Sequence, residues 1–68
     1  MKLLLFLAPG FEEIEAITVL DIARRAGLSI RSVSISNEKA VSGAHQISLN
    51  ADLTFDEVNF DEAEALIL

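Results

Sequence analysis

The run Lys2-Leu3-Leu4-Leu5-Phe6-Leu7 stops at Pro9-Gly10, and Glu12, Glu13 and Glu15 follow at once. No polar residue alternates with the apolar ones between Leu3 and Leu7. That is the pattern of a strand buried on both faces, which parallel sheets require. Pro9 and Gly10 break the strand, and residues 12–26 then have the composition of a helix. Open α/β sheets bind ligands where strands end and the next helices begin. The turn at 8–11 and the acids after it are therefore where chemistry is expected first.

At about 100° per residue, Val19, Ile22 and Ala26 form one apolar line, with Glu15 at its N-terminal end. A glutamate heading a buried face has three readings. It is ionised beside the first-turn amides and the positive end of the helix dipole; it is desolvated, with a raised pKa, and donates a hydrogen bond as a neutral acid; or it snorkels to water. Nearly complete burial would outweigh the dipole and leave Glu15 neutral near pH 7, beside the turn at 8–11. Glu12 and Glu13 read as solvated first-turn acids. A second stripe, Ile14, Thr18, Asp21 and Arg25 with Ile17 beside it, is too apolar at its start for a free surface and too charged for a core. It is either a partly exposed flank or a subunit contact centred on Ile14 and Ile17.

Small size limits what the chain can bury. A domain of 68 residues buries only about 60% of its unfolded surface. Yet 51% of these residues are hydrophobic, and the last four, Ala65-Leu66-Ile67-Leu68, look like another buried strand. A lone α/β unit of this kind would leave sheet faces and edges uncovered. Residues 1–68 are thus expected to be the N-terminal portion of a single larger domain. No cysteine is present, so there is neither a disulfide framework nor thiol chemistry within the chain. A net charge of −6 with no basic stripe argues against a nucleic-acid partner. The first apolar run is too short for a membrane span and is interrupted too early for a signal peptide. A cytoplasmic protein without membrane attachment is the expectation.

Gly27 is placed to cap the helix after Arg24 and Arg25. Residues 29–35 form a second strand whose apolar positions change phase, which calls for a bulge or for contacts on both faces. Residues 36–40 are a polar turn. Val41-Ser42 and residues 46–50 flank Gly43-Ala44-His45 as a short hairpin, with Ile47 and Leu49 sharing a face. Thr54-x-x-Glu57 has capping-box spacing for one helical turn through Val58. The order β-α-β, hairpin, turn, β is that of an α/β fold with an inserted hairpin. His45, the only histidine, reads as an exposed tip residue, and no cysteine cluster or His-x-Glu pattern supplies a metal site around it. Gly10 stands alone, without the spacing of a phosphate-binding loop.

Leu7-Ala8-Pro9-Gly10-Phe11-Glu12-Glu13-Ile14-Glu15-Ala16, then Asp21 and Arg24-Arg25-Ala26-Gly27, resemble the opening of the ThiJ/PfpI superfamily. The likeness is nearest to the branch of the Parkinson's-disease protein deglycase and its YajL-like relatives. Val41–Ile47, Asn50-Ala51-Asp52-Leu53 and the ending from Phe60 fit in register, so the resemblance spans the chain. It implies a flavodoxin-like α/β sandwich, with a parallel sheet between helices. It also implies a homodimer, no cofactor, and a reactive cysteine on a strand-to-helix elbow, hydrogen-bonded by a protonated Glu15. By the same resemblance Gly10 and His45 belong to the substrate side, and Glu12, Ile14, Ile17, Asp21 and Arg25 to the subunit interface. The implied function is a cysteine-dependent enzyme acting on reactive dicarbonyls or their protein adducts, of the glyoxalase or deglycase type. A redox-regulated stress protein or chaperone is the alternative; protease-like and thiazole-phosphate biosynthetic roles are weaker ones. In relatives the cysteine lies after the position of Leu68, so this chain alone is expected to be inactive.

Overall fold

The computed structural model describes residues 2–67. The unbroken apolar run becomes β1 (Lys2–Leu7), and it sits inside the sheet as its pattern requires. On one side it pairs in parallel with β2 (Ser29–Ser34), from Lys2↔Ser29 to Leu7↔Ser34. On the other it pairs in parallel with β6 (Ala65–Ile67), from Leu3↔Ala65 to Leu5↔Ile67. A short strand, β5 (Leu53–Thr54), extends the sheet beyond β2, giving the order β5-β2-β1-β6. The expected central place of β1 between two parallel neighbours is what the fold shows; Leu68, counted into the last strand, lies outside the described residues.

Side chains alternate across β1. Leu5 and Leu7 enter the main core with Ile30 of β2, Ala16 and Ala23 of the helix, Val41 and Ala51. On the opposite face Phe6 meets Phe55 and Phe60, with ring centroids 6.3 Å away in both cases. Both phenylalanines come from single turns of 3-10 helix, Phe55–Glu57 and Phe60–Glu62, that precede β6. The first of these turns is closed by the expected capping box: Glu57 accepts from the Thr54 amide and hydroxyl, both at 2.9 Å. The phase change in β2 resolves as contacts on both faces, because its six pairs with β1 run without a bulge and Ser32, Val33 and Ser34 are all buried.

The crossover helix α1 (Glu13–Arg25) ends as anticipated. Gly27, at φ +79°, lets its own N–H reach Arg24 O at 3.1 Å and the Leu28 N–H reach Ala23 O at 3.0 Å, which is the Schellman closure. The buried face of α1 is not the expected one. Val19 (36%) and Ile22 (60%) are exposed, as is Ala26, while Glu13, Ala16 and Ala23 are buried and Leu20 packs against the core. The inward line is therefore 13-16-20-23. Two alanines let the helix backbone lie close to the sheet, and ranking positions by side-chain bulk selects the wrong line. Ile14, Ile17, Ile22 and Leu66 leave large apolar surface on the outside of the described chain.

Two substitutions test this packing in urea unfolding of the whole protein. Leu7→Ala, in the best-filled part of the core, is expected to cost about 2–5 kcal/mol. Gly27→Ala is expected to cost about 1–2 kcal/mol by forcing a Cβ into left-handed backbone. A Leu7→Ala cost below about 1 kcal/mol would contradict this core.

Candidate functional site

After Leu7 the chain turns at residues 8–11, where the Phe11 N–H closes on Ala8 O at 3.1 Å and Gly10 takes φ +87°. The turn is roofed by the hairpin of β3 (Ala40–Ser42) and β4 (Ser48–Asn50), which pair antiparallel from Ala40↔Asn50 to Ser42↔Ser48. Two backbone bonds fasten roof to turn: Gly10 N–H to Ser42 O and Ala44 N–H to Phe11 O, each 2.8 Å. The hairpin thus stands over the head of α1.

Glu13 makes the deeper connection. It is 2% exposed. Its Oε2 accepts from the backbone N–H of His45 at 2.7 Å and of Ile47 at 3.2 Å, and its Oε1 lies 2.9 Å from His45 Nδ1. Burial, the largest single influence, pushes this carboxyl up. The hydrogen bonds from the His45 side chain and from the N–H groups of Glu13, His45 and Ile47 together outweigh it, and hold the pKa at about 2 against 4.5 for a free glutamate. His45 moves the opposite way: its hydrogen bond to Glu13, then the charges of Glu12 and Glu13, raise it above its usual 6.5 against a smaller effect of burial. Gly43 explains itself here, since a Cβ at that position would overlap the Glu13 carboxyl group.

The reading of Glu13 as a solvated first-turn acid is corrected by these contacts. The available signal was position: Glu13 lies three residues before Ala16, on the line through Leu20 and Ala23. Glu15 is corrected too, because it is exposed and lies off that line. The burial from which a neutral acid was inferred is absent in this chain.

What Glu15 does have is a cavity. A hollow of about 390 Å³ opens at the carboxyl ends of β1 and β6, walled by Phe6, Pro9, Gly10, Phe11, Val19 and Ile67 among others, with Glu12 and Glu15 as the only charged lining residues among the described residues. This is the place the strand-end rule indicates. Of the anticipated site residues, Gly10, Glu12 and Glu15 meet there. His45 does not line it, but its Nδ1 lies 3.6 Å from Glu12 Oε1 and so joins the cavity rim indirectly. Ile14 (75% exposed) and Ile17 stand on the outer flank of α1 with the Asp21–Arg25 ion pair at 3.0 Å. Among the described residues, Glu12, Glu13 and His45 are the one cluster whose donor atoms lie within 4.8 Å of one another. The Glu13 oxygens are already spent on three donors, so the cluster is a hydrogen-bonded knot rather than an open cation site.

A second polar knot escaped the sequence reading. Asp52 Oδ2 accepts from the Ser32 N–H at 3.0 Å and pairs with Arg24 Nη2 at 2.8 Å, while the Asp52 N–H donates to Ser32 Oγ at 2.9 Å. It occupies the edge of β2 just before β5 takes over the pairing, and ties α1 to that edge.

The model of the DJ-1/PfpI family matches residues 1–68. This chain belongs to the DJ-1/PfpI family. A deglycase of Thermococcus kodakarensis is 40% identical over 68 residues, which is all of this chain and 40% of the relative. The PfpI deglycase of Pyrococcus furiosus is 38% identical over the same span and share. A solved DJ-1 superfamily protein of Salmonella typhimurium, carrying a cysteine-to-alanine substitution, has a TM-score of 0.88 at 38% identity. That match covers 96% of this chain and 35% of the other. Oxidised Toxoplasma gondii DJ-1 also has a TM-score of 0.88, at 28% identity and with the same coverage. The likeness to both confirms the flavodoxin-like α/β reading for this chain. The chain spans about 40% of the length of these curated DJ-1/PfpI relatives. Among the described residues, no helix is long and apolar enough to cross a membrane.

The two opposed pKa shifts predict how the hairpin is held. The contribution of Glu13 is whole above 4.5 and is lost as pH falls from there toward about 2. That of His45 is whole below 6.5 and is lost as pH rises through its elevated folded value. Protection of the His45 and Ile47 amides from hydrogen exchange, corrected for intrinsic rates, is therefore expected to be greatest between these limits. A flat profile from acid to alkaline pH would remove the knot.

Proposed function

We propose that the whole protein is a cysteine-dependent enzyme acting on reactive dicarbonyls such as methylglyoxal, or on their early protein adducts. The observation that carries this reading is the position of Glu15, which borders an otherwise mainly apolar hollow at the end of the central strand. The deglycase names of two relatives, at 40% and 38% identity, support the substrate class. The chain has no cysteine, so the nucleophile would come from the part of the relatives' length that it does not span.

In the proposed reaction the thiolate attacks the aldehyde carbon, forming a C–S bond, and the carbonyl oxygen takes the Glu15 proton to give a hemithioacetal. The Glu15 carboxylate then takes the proton from that carbon and returns it to the neighbouring carbonyl carbon, while the hydroxyl proton of the hemithioacetal passes to the neighbouring oxygen, leaving a thioester of the hydroxy acid. Water then cleaves the C–S bond and releases the acid and the thiol. Glu15 begins this sequence as the acid, and the length of the relatives that this chain does not span would cover the hollow and exclude water from it. By the same reading the exposed Ile14 and Ile17 pack against a second copy, with Glu12, Asp21 and Arg25 around them.

Methylglyoxal consumption by the whole protein tests the reaction. Glu15→Gln keeps a neutral hydrogen-bond donor but no titratable proton, and turnover is expected to fall about 100-fold or more, with cysteine oxidation little changed. Full turnover in that variant would remove Glu15 from the relay. A wild-type protein that oxidises its cysteine to the sulfinate yet turns over no dicarbonyl would favour a redox-sensing stress protein instead. The contact is tested separately: Ile14→Arg is expected to shift the protein toward monomer in sedimentation, and an undisturbed dimer would exclude this flank.

A further inference from the structure

The geometry points to Glu13 as a positioning residue: its carboxylate holds the hairpin tip and fixes the proton on His45 Nδ1, and the imidazole held in this way is the ion-pair partner of Glu12 at the rim of the cavity. This rests on the reading of the cavity as the reaction site. Glu13 is not among the residues that line the cavity. It acts at both ends of His45, accepting the backbone N–H at 2.7 Å and facing the ring at 2.9 Å. An acceptor-only carboxylate opposite Nδ1 requires a proton there. The ring atom Nδ1 also lies 3.6 Å from Glu12 Oε1, an ion-pair distance when the imidazole is protonated, and Glu12 is one of the two charged residues among the described residues of the cavity wall.

The charged groups facing His45 are Glu12 and Glu13, both from the head of α1. Between Ala40 and Asn50 the hairpin carries no other charged side chain. The chain Glu13–His45–Glu12 therefore has no competing cation or anion from its own element. Gly43 leaves the room that Glu13 needs, and Gly10 gives the turn beneath it. Both glycines serve one arrangement, in which the mouth of the cavity is set by a carboxylate buried behind it.

Glu13→Gln separates positioning from mere support. The amide oxygen can still accept from the His45 and Ile47 N–H groups, keeping the hairpin in place. The amide nitrogen then faces Nδ1 and donates to it, moving the imidazole proton to Nε2 and weakening the ion pair with Glu12. The whole protein is labelled with 15N-histidine, and His45 is assigned by its loss in His45→Gln. In the wild type an Nδ1-protonated ring titrating above 6.5 is expected. In Glu13→Gln the expected result is an Nε2–H tautomer titrating lower, protected hairpin amides, and a several-fold rise in KM for methylglyoxal with a smaller change in kcat. An unchanged tautomer overturns the inference, and so does a changed tautomer with an unchanged KM. Failure of the wild type to consume methylglyoxal counts against the proposed reaction instead. The inference is then decided by the His45 tautomer, which must differ between wild type and Glu13→Gln for it to stand.

Discussion

Glu13 reaches backbone groups 32 and 34 residues further along the chain, and the rest of the site is arranged around that reach. A buried carboxylate is tolerated only when its charge is met by donors and opposite charge. Here two backbone N–H groups, an imidazole and the N-terminal end of α1 meet it. Remove the carboxylate, and the amides of His45 and Ile47 lose their acceptor while the hairpin keeps only its two backbone bonds to the turn. The connection between local sequence and function runs through this group, although it carries no proposed chemistry itself.

The neighbouring acids take different work because of helical geometry. Two residues correspond to a rotation of about 200°, so Glu13 and Glu15 leave α1 on nearly opposite sides. One goes under the hairpin; the other borders the hollow at the carboxyl end of β1. Glu12, at the N-cap, stands between them and is the link through His45. A single first turn therefore provides a structural anion, a rim anion and a candidate catalytic acid.

How far this was legible in the sequence depends on what each signal measures. The unbroken apolarity of residues 3–7 reports burial on both faces directly, so the central parallel strand followed from it. Gly27 after two arginines and Thr54-x-x-Glu57 are local stereochemical signals, and both closures formed as read. The helix face was misjudged because small Ala16 and Ala23 make close contact while bulky Val19 and Ile22 do not. That error of phase moved burial from Glu13 to Glu15. The partners of Glu13 are hairpin amides and those of Asp52 lie on a strand edge. Such long-range pairings leave no periodic trace, and only the fold brings them together.

Glu13 and Glu15 divide the work of one helical turn, and a crystal structure of the whole protein soaked with methylglyoxal shows whether they do. An adduct is expected in the hollow at the end of β1, with the Glu15 carboxyl within hydrogen-bond distance of it. Glu13 should remain on the amides of His45 and Ile47. An adduct bound elsewhere, or a Glu13 carboxylate turned into the hollow with Glu15 in solvent, would contradict this division.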